Sequence, residues 1–449
     1  SACEAALAVV VLAAGQGTRM RSARSKVLHE IAGRPMLGYP LALAEALAPE
    51  RLVVVVGRDA EAVREAFAGR AEFVEQAERR GTGHAVQVAL PALHGFRGEV
   101  LVLYGDVPLL RAESVARMRA VKARSGAPLV ILSSPEPLPG LVVRGADGRV
   151  ERIVEQTDAT PEELASLREG NTGVYLVDVE LLREALGELD AANQQGEFYL
   201  TDVVARTRAR GLAVEGIRLV DADEALGVNT RAELARVTMV QHRRNAERWM
   251  DEGVSFVAPD HAWIDTDVTI GADSFVEPGV VITGASQLGR GVHVKAHTVI
   301  ESSRIDDDVV IGPSAHLRPG NHLERGVRIG NFVELKNSHL GEGVKADHLT
   351  YVGDADVGAR SSFGCGAITV NYDWERKHRT HVGVGVRIGC NANLIAPRRL
   401  EDGAHVAAGV TVTRDVPAGA LARSEARQKN IEGWVERRGK ARSGKSEKG

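Results

Sequence analysis

A glycine-rich segment near the N-terminus is the first place where residue types and spacing could do chemistry. Leu12 to Met20 reads LAAGQGTRM, and Lys26 follows seven residues after Arg19. The segment is not a Walker loop, because no Gly-Lys-Ser/Thr stands at the required spacing, and it is not a dinucleotide fingerprint, because Met20 replaces the third glycine. A glycine-rich loop after a strand brings backbone N–H groups to a phosphate chain, and Arg19 and Lys26 would add positive charge. The glycines alone also fit a tight turn, but the two cations favour phosphate binding.

Two further segments could complete a site around a bound phosphate chain. Asp106 follows the strand pattern Val100–Leu103, and a carboxylate at the carboxyl end of a strand suits Mg²⁺, which also takes phosphate oxygens. Gln76 and the run GTGH at 81–84 precede a helical pattern. A glutamine amide can read the edge of a base, and Gly81 lets the backbone approach a flat ring. Taken alone, Asp106 is equally typical of a turn, and an N-capping Thr82 explains the second segment as well.

His348 is the candidate acid–base residue of the C-terminal half. An imidazole can act as a general base near neutral pH. Glu334 precedes His348 by 14 residues, so the two would lie on adjacent coils of a repeating structure, where the carboxylate could orient the imidazole. Arg318, Lys336 and Tyr351 would lie nearby in the same coils. The alternative is that His348 is an ordinary surface residue.

Composition limits the classes of protein that the chain can belong to. Its length of 449 residues predicts several domains. The formal net charge is −4, which gives no reason to expect a nucleic acid as the main partner, and the chain has 3 Cys. So few cysteines cannot build a disulfide framework, which fits a reducing cytosol. The N-terminal residues lack a basic region and no long uncharged apolar run occurs, so we expect neither a signal peptide nor a membrane span. Glycine is abundant at 48 residues and aromatic residues make up only 4%, which indicates a core built from small aliphatic side chains.

An aliphatic side chain recurs every six residues in the C-terminal half, and many of these residues are followed by glycine. Six residues fit neither an α-helix nor a plain strand. They fit a parallel β-helix of triangular section in which each aliphatic residue points inward, and glycine beside it would permit the backbone angle of the corner. Chance periodicity is improbable over runs of this length. The predicted inward residues are Ile264, Ile270, Val276, Ile282, Leu288, Val294, Ile300, Ile305, Ile311, Leu317, Leu323, Ile329, Leu335, Leu340, Ala346, Val352, Val357, Phe363, Val382, Ile388, Leu394, Leu400, Val406 and Val412.

The repeat is interrupted at residues 370–381, where the polar run NYDWERK occupies 371–377. Such an interruption places a long loop at a corner of the β-helix, and surface loops commonly carry function.

The N-terminal half follows a different pattern. Buried strand patterns at Leu7–Ala13, Leu52–Val56 and Glu99–Tyr104 alternate with helical patterns near 36–48, 59–68 and 83–94. This alternation predicts a mostly parallel, doubly wound α/β sheet, in which ligands bind at the carboxyl ends of the strands. We predict three parts: an N-terminal domain at 1–229, a linker helix within 230–252, and a β-helix domain at 253–449. The basic stretch 437–449 is expected to be a disordered, solvated tail, with nucleic-acid binding as the less favoured alternative.

The N-terminal motifs, in this order and spacing from Ala8 to about Asn229, resemble those of sugar-1-phosphate nucleotidylyltransferases, and Gln76 with Gly81-Thr82 resembles the uridine-binding members. The resemblance implies nucleotide contacts from Leu12, Ala13, Ala14, Gly15, Lys26, Gln76, Gly81, Thr82, Tyr104 and Gly105. It places Gly140, Glu155 and Asn171 at sugar-contacting positions, and Asp106 and Asn229 at those of the Mg²⁺ ligands.

Over roughly residues 8–434 the chain resembles the bifunctional bacterial N-acetylglucosamine-1-phosphate uridylyltransferase / glucosamine-1-phosphate N-acetyltransferase family. The specific features are the glycine-rich loop, the six-residue repeat, and the segments HLTY at 348–351, NYD at 371–373 and EGW at 432–434. The resemblance implies a Rossmann-like α/β nucleotidylyltransferase domain followed by a left-handed parallel β-helix of hexapeptide repeats. It also implies a homotrimer with acetyl-transfer sites between subunits.

The same resemblance implies roles for residues of the β-helix. His348 would be the base that deprotonates the sugar ammonium for attack on the acetyl thioester. Residues at glucosamine-1-phosphate positions are Arg318, Lys336, Tyr351, Ser362 and Lys377, and those at acetyl-CoA positions are Cys365, Asn371, Tyr372, Cys390, Ala408 and Arg427. Three positions depart from the family pattern: Ser362 replaces an Asn, Cys390 replaces a Ser, and Glu425 replaces an Arg near coenzyme A, so Arg427 would take over that contact.

The resemblance implies two reactions in UDP-N-acetylglucosamine synthesis. Acetyl-CoA acetylates glucosamine-1-phosphate, and UTP with Mg²⁺ then uridylylates the product and releases pyrophosphate, which feeds peptidoglycan and lipopolysaccharide precursors. A cytoplasmic enzyme without nucleic-acid or membrane partners is expected. Two alternatives stay open at this point: a monofunctional nucleotidylyltransferase with a purely structural β-helix, and a β-helix scaffold that only senses nucleotide.

Overall fold

The computed structural model describes residues 5–57, 60–189, 196–425 and 428–437. Contacts divide the chain into two compact units: the first runs to Asp251 and includes Ala258–Val268, and the second comprises Glu252–Val257 and the chain from Thr269 onward. The predicted linker helix forms as Arg231–Asp251 and belongs to the first unit. The functional boundaries at 229 and 252 stay a prediction. Of the basic tail, residues 438–449 lie outside the described residues.

A twisted sheet forms the centre of the first unit. One path of hydrogen-bonded strands runs, from edge to edge, through Val214–Arg218, Leu129–Ser134, Gly170–Asp178, Glu99–Tyr104, Leu7–Ala13, Arg51–Gly57 and Glu72–Gln76. Gly170–Asp178 is antiparallel to both of its neighbours on this path, and the other pairs on it are parallel. The antiparallel pair Gly140–Arg144 and Val150–Glu155 joins the sheet beside Gly170 and Asn171. The predicted mostly parallel α/β sheet is therefore confirmed.

Both faces of the sheet are buried. Along Leu7–Ala13, the alternate residues Ala8, Val10 and Leu12 belong to one hydrophobic cluster, whereas Leu7, Val9, Val11 and Ala13 belong to the other. Side chains alternate between the faces of a strand, so an uninterrupted apolar run is what a doubly covered strand requires.

Helices and short elements complete the first unit. The α-helices are Gly38–Ala46, Glu61–Ala66, Thr82–Ala89, Ala112–Ser125, Pro161–Ser166, Val179–Gly187, Asp202–Ala209 and Arg231–Asp251, and the 3₁₀ turns are Thr18–Met20, Lys26–Leu28, Leu90–Leu93, Ala222–Ala225 and Pro259–His261. Three further strands are short: Glu30–Ile31, Arg34–Pro35 and Trp263–Ile264. In the part of the chain that the structure describes, no helix has the length and apolar character needed to cross a bilayer.

The strand Leu7–Ala13 lies between Arg51–Gly57, which follows it along the chain, and Glu99–Tyr104, which comes later. Both pair with it in parallel. The strand that follows Leu7–Ala13 in the chain therefore lies on one side of it, and a later strand lies on the other side. In open α/β sheets the crevice at the carboxyl end of such a strand is the usual ligand site.

The second unit is built from short strands stacked in three parallel sheets, which is the arrangement of the predicted left-handed β-helix. The first sheet contains Ser255–Phe256, Phe275–Val276, His293–Val294, Val310–Ile311, Arg328–Asn331, Lys345–His348, Ser362–Phe363, Arg387–Ile388, His405–Val406 and Leu421–Ala422. The second contains Val281–Thr283, Val299–Glu301, His316–Leu317, Glu334–Lys336, Tyr351–Gly353, Ile368–Val370, Asn393–Ile395 and Thr411–Val412. The third contains Thr269–Ile270, Gln287–Leu288, Arg304–Ile305, His322–Leu323, His339–Leu340, Ala355–Val357, Thr380–Val382 and Arg398–Leu400.

Every predicted inward residue is buried, with at most 6% of its surface exposed. At two of the glycines beside these residues, Gly330 and Gly364, the reason for glycine differs from the prediction, whereas Gly312 has φ 94° and agrees with it. A Cβ on Gly330 would lie 1.9 Å from the backbone oxygen of Asp347 on the next coil, and one on Gly364 would lie 2.5 Å from the backbone nitrogen of Cys390. These two glycines allow coils to approach closely and do not supply a left-handed backbone. Left-handed backbone occurs elsewhere in the coil, for example at Gly343, whose φ is 66°.

This distinction predicts different costs for two glycine-to-alanine substitutions in the β-helix. Gly330→Ala places a methyl group against backbone and should lower the free energy of unfolding by about 3 kcal/mol or more. Gly343→Ala meets no atom within 4 Å and should cost about 1 kcal/mol of left-handed strain. Denaturant unfolding followed by circular dichroism compares them, and equal costs would contradict the close-approach explanation.

Candidate active sites

Lys26 is the centre of the first candidate site. Its side chain is buried, and its Nζ donates hydrogen bonds to Asp106 Oδ2 at 2.5 Å and to Asn229 Oδ1 at 3.1 Å. Asp106 follows the strand Glu99–Tyr104, whose last residue pairs with Leu12. The site therefore lies at the carboxyl edge of the sheet, where the topology predicts a ligand.

The glycine-rich loop passes over the Lys26 side chain. Gly17 has φ 64°, and a Cβ there would lie 2.6 Å from Lys26 Cβ, so this position needs glycine for its backbone angle and for space. The Lys26 ammonium lies under Gly15, 3.6 Å from where a Cβ would stand. Leu12, Ala13 and Ala14 are buried, whereas Gly15 is exposed and opens the loop to a ligand.

Backbone hydrogen bonds hold the segments that carry the two predicted metal ligands, Asp106 and Asn229. The Gly105 N–H donates to Leu12 O at 2.8 Å, and the Val228 N–H donates to Asp106 O at 2.9 Å. The Glu233 carboxylate accepts from the N–H groups of Asn229 and Thr230 at 2.7 and 2.8 Å. Burial alone would raise the pKa of Glu233, but these hydrogen bonds outweigh it and lower the pKa. Sequence reasoning missed Glu233, although a Thr-x-x-Glu capping box before a helix is a readable signal.

The oxygens of Asp106 and Asn229 converge on one cation, because a single ammonium group bonds to both. The Lys26 ammonium thus stands where a metal ion could be held. No group of three or more His, Cys, Asp or Glu side chains suited to a metal occurs within the described residues. A hard divalent cation commonly binds one or two protein oxygens together with phosphate oxygens of a substrate, and these two oxygens fit that pattern.

The predicted base-contacting residues lie together beside the loop. The Gln76 Nε2 donates to Gly81 O at 3.1 Å, which fixes the amide against the turn before helix Thr82–Ala89. Gly81 has φ 101° and packs against the backbone of Phe198. Burial raises the pKa of Tyr104 well above its ordinary value, so its hydroxyl stays protonated beside Thr82.

Arg79 also belongs to this group, and sequence reasoning missed it. Its Nε donates to Ala14 O at 3.1 Å, and its Nη2 lies beside Gly57, at the end of the neighbouring strand. Arg79 therefore ties the predicted base-binding turn to the glycine-rich loop and adds a cation there. By contrast, Arg19 lies on the exposed turn Thr18–Met20, where its charge contributes to lowering the pKa of Glu233.

The three predicted sugar-contacting residues lie side by side on adjacent strands. Gly140 pairs with Asn171 on one side and with Glu155 on the other. A Cβ on Gly140 would lie 3.3 Å from Asn171 Cβ and 3.4 Å from Glu155 Oε1, so glycine keeps the space between them open. Burial raises the pKa of Glu155.

Glu169 anchors this corner of the sheet. Its carboxylate accepts from Ser133 Oγ at 2.6 Å and from the guanidinium groups of Arg144 and Arg218 at 2.6 to 2.9 Å. Burial alone would raise the pKa of Glu169, but these hydrogen bonds lower it to about 2. The ionised carboxylate therefore holds the antiparallel pair that carries Gly140 and Glu155.

His348 heads a column of predicted residues in the second unit. The register pairs Ala346, Phe363, Ile388 and Val406 in successive coils. Two residues after each of them stand His348, Cys365, Cys390 and Ala408, which therefore stack along one corner. His348, Cys390 and Ala408 are exposed, Cys365 is half-buried, and both cysteines are free thiols.

Glu334 does not accompany His348. The residue opposite His348 in the preceding coil is Asn331. The Glu334 carboxylate instead accepts from Arg318 Nη1 at 3.2 Å and lies beside Tyr351 in the ladder. The two residues are on adjacent coils, as their spacing predicts, but on different sheets.

Asp354 connects the remaining residues of the predicted sugar site, and sequence reasoning missed it. Its carboxylate accepts from Asn371 Nδ2 at 2.5 Å, from Asn337 Nδ2 at 2.7 Å and from Lys336 Nζ at 3.4 Å. Burial alone would raise the pKa of Asp354, but these contacts lower it. Asn371 also lies 3.4 Å from Tyr351 Oη. The sequence does contain a signal for Asp354: a charged residue two positions after the inward Val352, in the coil that precedes the interruption at 370–381.

A cluster of cations faces the same surface. Lys336 lies close to Lys377, and its hydrogen bond with Lys377, together with its charge, lowers the pKa of Lys377. The Lys336 pKa is raised by its hydrogen bond with Lys377 and by Asp354. Two neighbouring basic groups favour an anion beside them.

The other predicted residues of this half are more scattered. The Ser362 hydroxyl accepts from Arg387 Nη1 at 3.2 Å. The 371–377 loop folds on Asp373, which accepts from the N–H groups of Glu375 and Arg376, and it leaves Tyr372 and Trp374 exposed. Arg427 lies outside the described residues.

Comparison with known proteins agrees with this geometry. Residues 9–198 match the model of the MobA-like NTP transferase domain. The chain is 46% identical over 450 residues to the bifunctional protein GlmU of Pelobacter propionicus, covering 95% of this chain and 98% of the relative. The chain belongs to the GlmU family. A GlmU of Stutzerimonas stutzeri is 45% identical with the same coverage, and one of Corynebacterium diphtheriae is 41% identical, covering 96% of this chain and 94% of the relative.

Membership of the GlmU family covers both units and confirms the predicted function. The chain is a bifunctional enzyme of UDP-N-acetylglucosamine synthesis that combines uridylyl transfer with acetyl transfer. Its substrates are a nucleotide and an acyl-CoA. The monofunctional and nucleotide-sensing alternatives are therefore wrong.

The position of Arg79 generates a prediction for the uridylyltransferase. Arg79→Gln removes a charge-assisted contact at the nucleotide loop and should raise KM for UTP about tenfold or more, with a smaller change in kcat. Arg51→Gln is the matched control, because Arg51 stands at the other end of the strand Arg51–Gly57, where its Nη1 donates to Glu50 O at 3.4 Å. Equal KM values for both variants would contradict a role for Arg79 in nucleotide binding.

Proposed function

We propose that uridylyl transfer takes place around Lys26 and acetyl transfer around His348. The observation that carries the first assignment is the convergence of Asp106 and Asn229 on one buried cation beneath the glycine-rich loop. UTP would lie along Leu12 to Gly15, with its base against Gln76, Gly81 and Thr82 and its ribose beside Tyr104 and Gly105.

In this site the chain's cations and amides neutralise phosphate charge. Mg²⁺ held by Asp106 and Asn229 would neutralise phosphate oxygens of UTP. Lys26 and Arg19 stabilise the charge that develops as the sugar phosphate attacks the α-phosphate and pyrophosphate leaves. Gly140, Glu155 and Asn171 hold the N-acetylglucosamine ring in the open space beside Gly140.

In the second site His348 is the general base. Its exposed imidazole takes a proton from the sugar ammonium, and the free amine attacks the carbonyl carbon of the acetyl thioester. The C–N bond forms, the C–S bond breaks, and the second proton lost by the nitrogen goes to the sulfur, so that coenzyme A leaves as its thiol. No covalent intermediate on the enzyme is needed.

The surroundings of His348 bind the two substrates on neighbouring surfaces. Arg318, Lys336 and Lys377 hold the sugar phosphate, Tyr351 and Ser362 hold the sugar, and Asp354 positions Lys336. Glu334, bonded to Arg318, keeps that guanidinium in place. Acetyl-CoA lies along the corner column and the loop, against Cys365, Asn371, Tyr372, Cys390 and Ala408.

We further propose a cytoplasmic homotrimer in which a second copy completes each acetyl-transfer site. Small-molecule sites are usually concave and cover most of the ligand. His348, Lys377, Tyr372 and Trp374 are instead exposed on this chain. In this proposal residues up to 229 form the uridylyltransferase, 230–252 the linker, and the remainder the acetyltransferase.

A reciprocal pair of substitutions tests the assignment. His348→Ala should lower acetyl transfer at least about a hundredfold and leave uridylyl transfer unchanged, because general-base catalysis contributes that much. Asp106→Ala should do the reverse. Thiol release from acetyl-CoA and pyrophosphate release are measured on the same preparations. Loss of both activities in either folded variant would contradict two separate sites.

A further inference from the structure

Within the first site, the place between Asp106 and Asn229 is already held by a cation of the protein itself. Lys26 Nζ lies 2.5 Å from Asp106 Oδ2 and 3.1 Å from Asn229 Oδ1. Building on the proposed uridylyltransferase site, we propose that the Lys26 ammonium and the divalent metal ion are alternative occupants of these two oxygens. The metal would then load together with the nucleotide rather than before it.

Charge makes the two occupants exclusive. A divalent ion bonded to the same oxygens would stand within about 5 Å of the ammonium, where like charges repel strongly. Only 6% of the Lys26 side chain is exposed, so water and salt screen this repulsion poorly. The metal therefore cannot bind both oxygens until the ammonium moves.

The loop provides the place to which the ammonium moves. The stem of Lys26 is fixed beneath Gly17, whereas its ammonium lies beside the exposed Gly15. A triphosphate on the N–H groups of this loop offers the ammonium a new anionic partner within the reach of one side chain. The nucleotide thus withdraws Lys26 from Asp106 and Asn229 and supplies phosphate oxygens to the incoming metal.

This arrangement makes metal and nucleotide binding strongly cooperative. Without nucleotide, metal binding has to displace a buried ion pair. With nucleotide, the ammonium is already paired to phosphate. Because coupling between two ligands is reciprocal, the metal must strengthen nucleotide binding by the same factor.

Mn²⁺ binding, measured by electron paramagnetic resonance on the full chain, tests the proposal without relying on activity. The wild type should bind Mn²⁺ weakly alone and at least tenfold more tightly with a non-hydrolysable UTP analogue. Lys26→Met should bind Mn²⁺ alone at least tenfold more tightly than the wild type. Lys26→Arg, which retains the charge, should bind it as weakly as the wild type does.

The outcomes separate the proposal from the function on which it rests. Tight Mn²⁺ binding by the wild type without nucleotide, or unchanged affinity in Lys26→Met, overturns the exclusion and leaves the uridylyltransferase assignment intact. Mn²⁺ binding that persists when Asp106→Asn is added to Lys26→Met overturns the metal site itself, and the exclusion with it. Retained acetyl transfer in each variant shows that the chain is folded.

Discussion

The parallel register between successive coils is the constraint on which the second unit depends. Each inward aliphatic residue stacks on its counterpart in the next coil, and this pairing also decides which outward residues become neighbours. His348 stands above Asn331, and Glu334 above His316, because Ile329 pairs with Ala346 and Leu317 with Leu335. The core and the chemistry therefore share one register. A slip of one residue would turn the aliphatic side chains outward and disperse the proposed site.

The first unit depends on a different constraint, because it buries a charged group, the Lys26 ammonium, at the edge of its sheet. Burying the Lys26 ammonium costs desolvation energy, which the hydrogen bonds accepted by Asp106 and Asn229 offset. The strand Leu7–Ala13 delivers the loop to this point, and the capping box at Thr230 and Glu233 delivers Asn229 from a distant part of the chain. The residues that neutralise the buried charge are thus the same ones that we propose to bind the ligand.

The features that could be predicted from the sequence are those that depend on the spacing of apolar residues. Every residue that the six-residue repeat predicted as inward is buried, although Thr369, which pairs with the inward Leu394, was not among them. The strands Leu7–Ala13 and Glu99–Tyr104 formed with the predicted bounds. Contacts between outward side chains were harder to predict from the sequence, because they depend on rotamers and on polar partners from other coils. For this reason Asp354 was missed, and Glu334 was assigned to His348 rather than to Arg318. Arg79 was missed because its partner, Ala14 O, is a backbone atom.

The central claim is that two chemically separate sites occupy the two units of one chain. Amide hydrogen exchange of the intact protein, with each co-substrate added alone, tests it most directly. UTP with Mg²⁺ should slow exchange around residues 12–26, 76–84 and 104–106, and leave the β-helix unchanged. Acetyl-CoA should slow exchange only in the coils that carry residues 348–408. Protection of the β-helix by UTP, or of the glycine-rich loop by acetyl-CoA, would contradict the account.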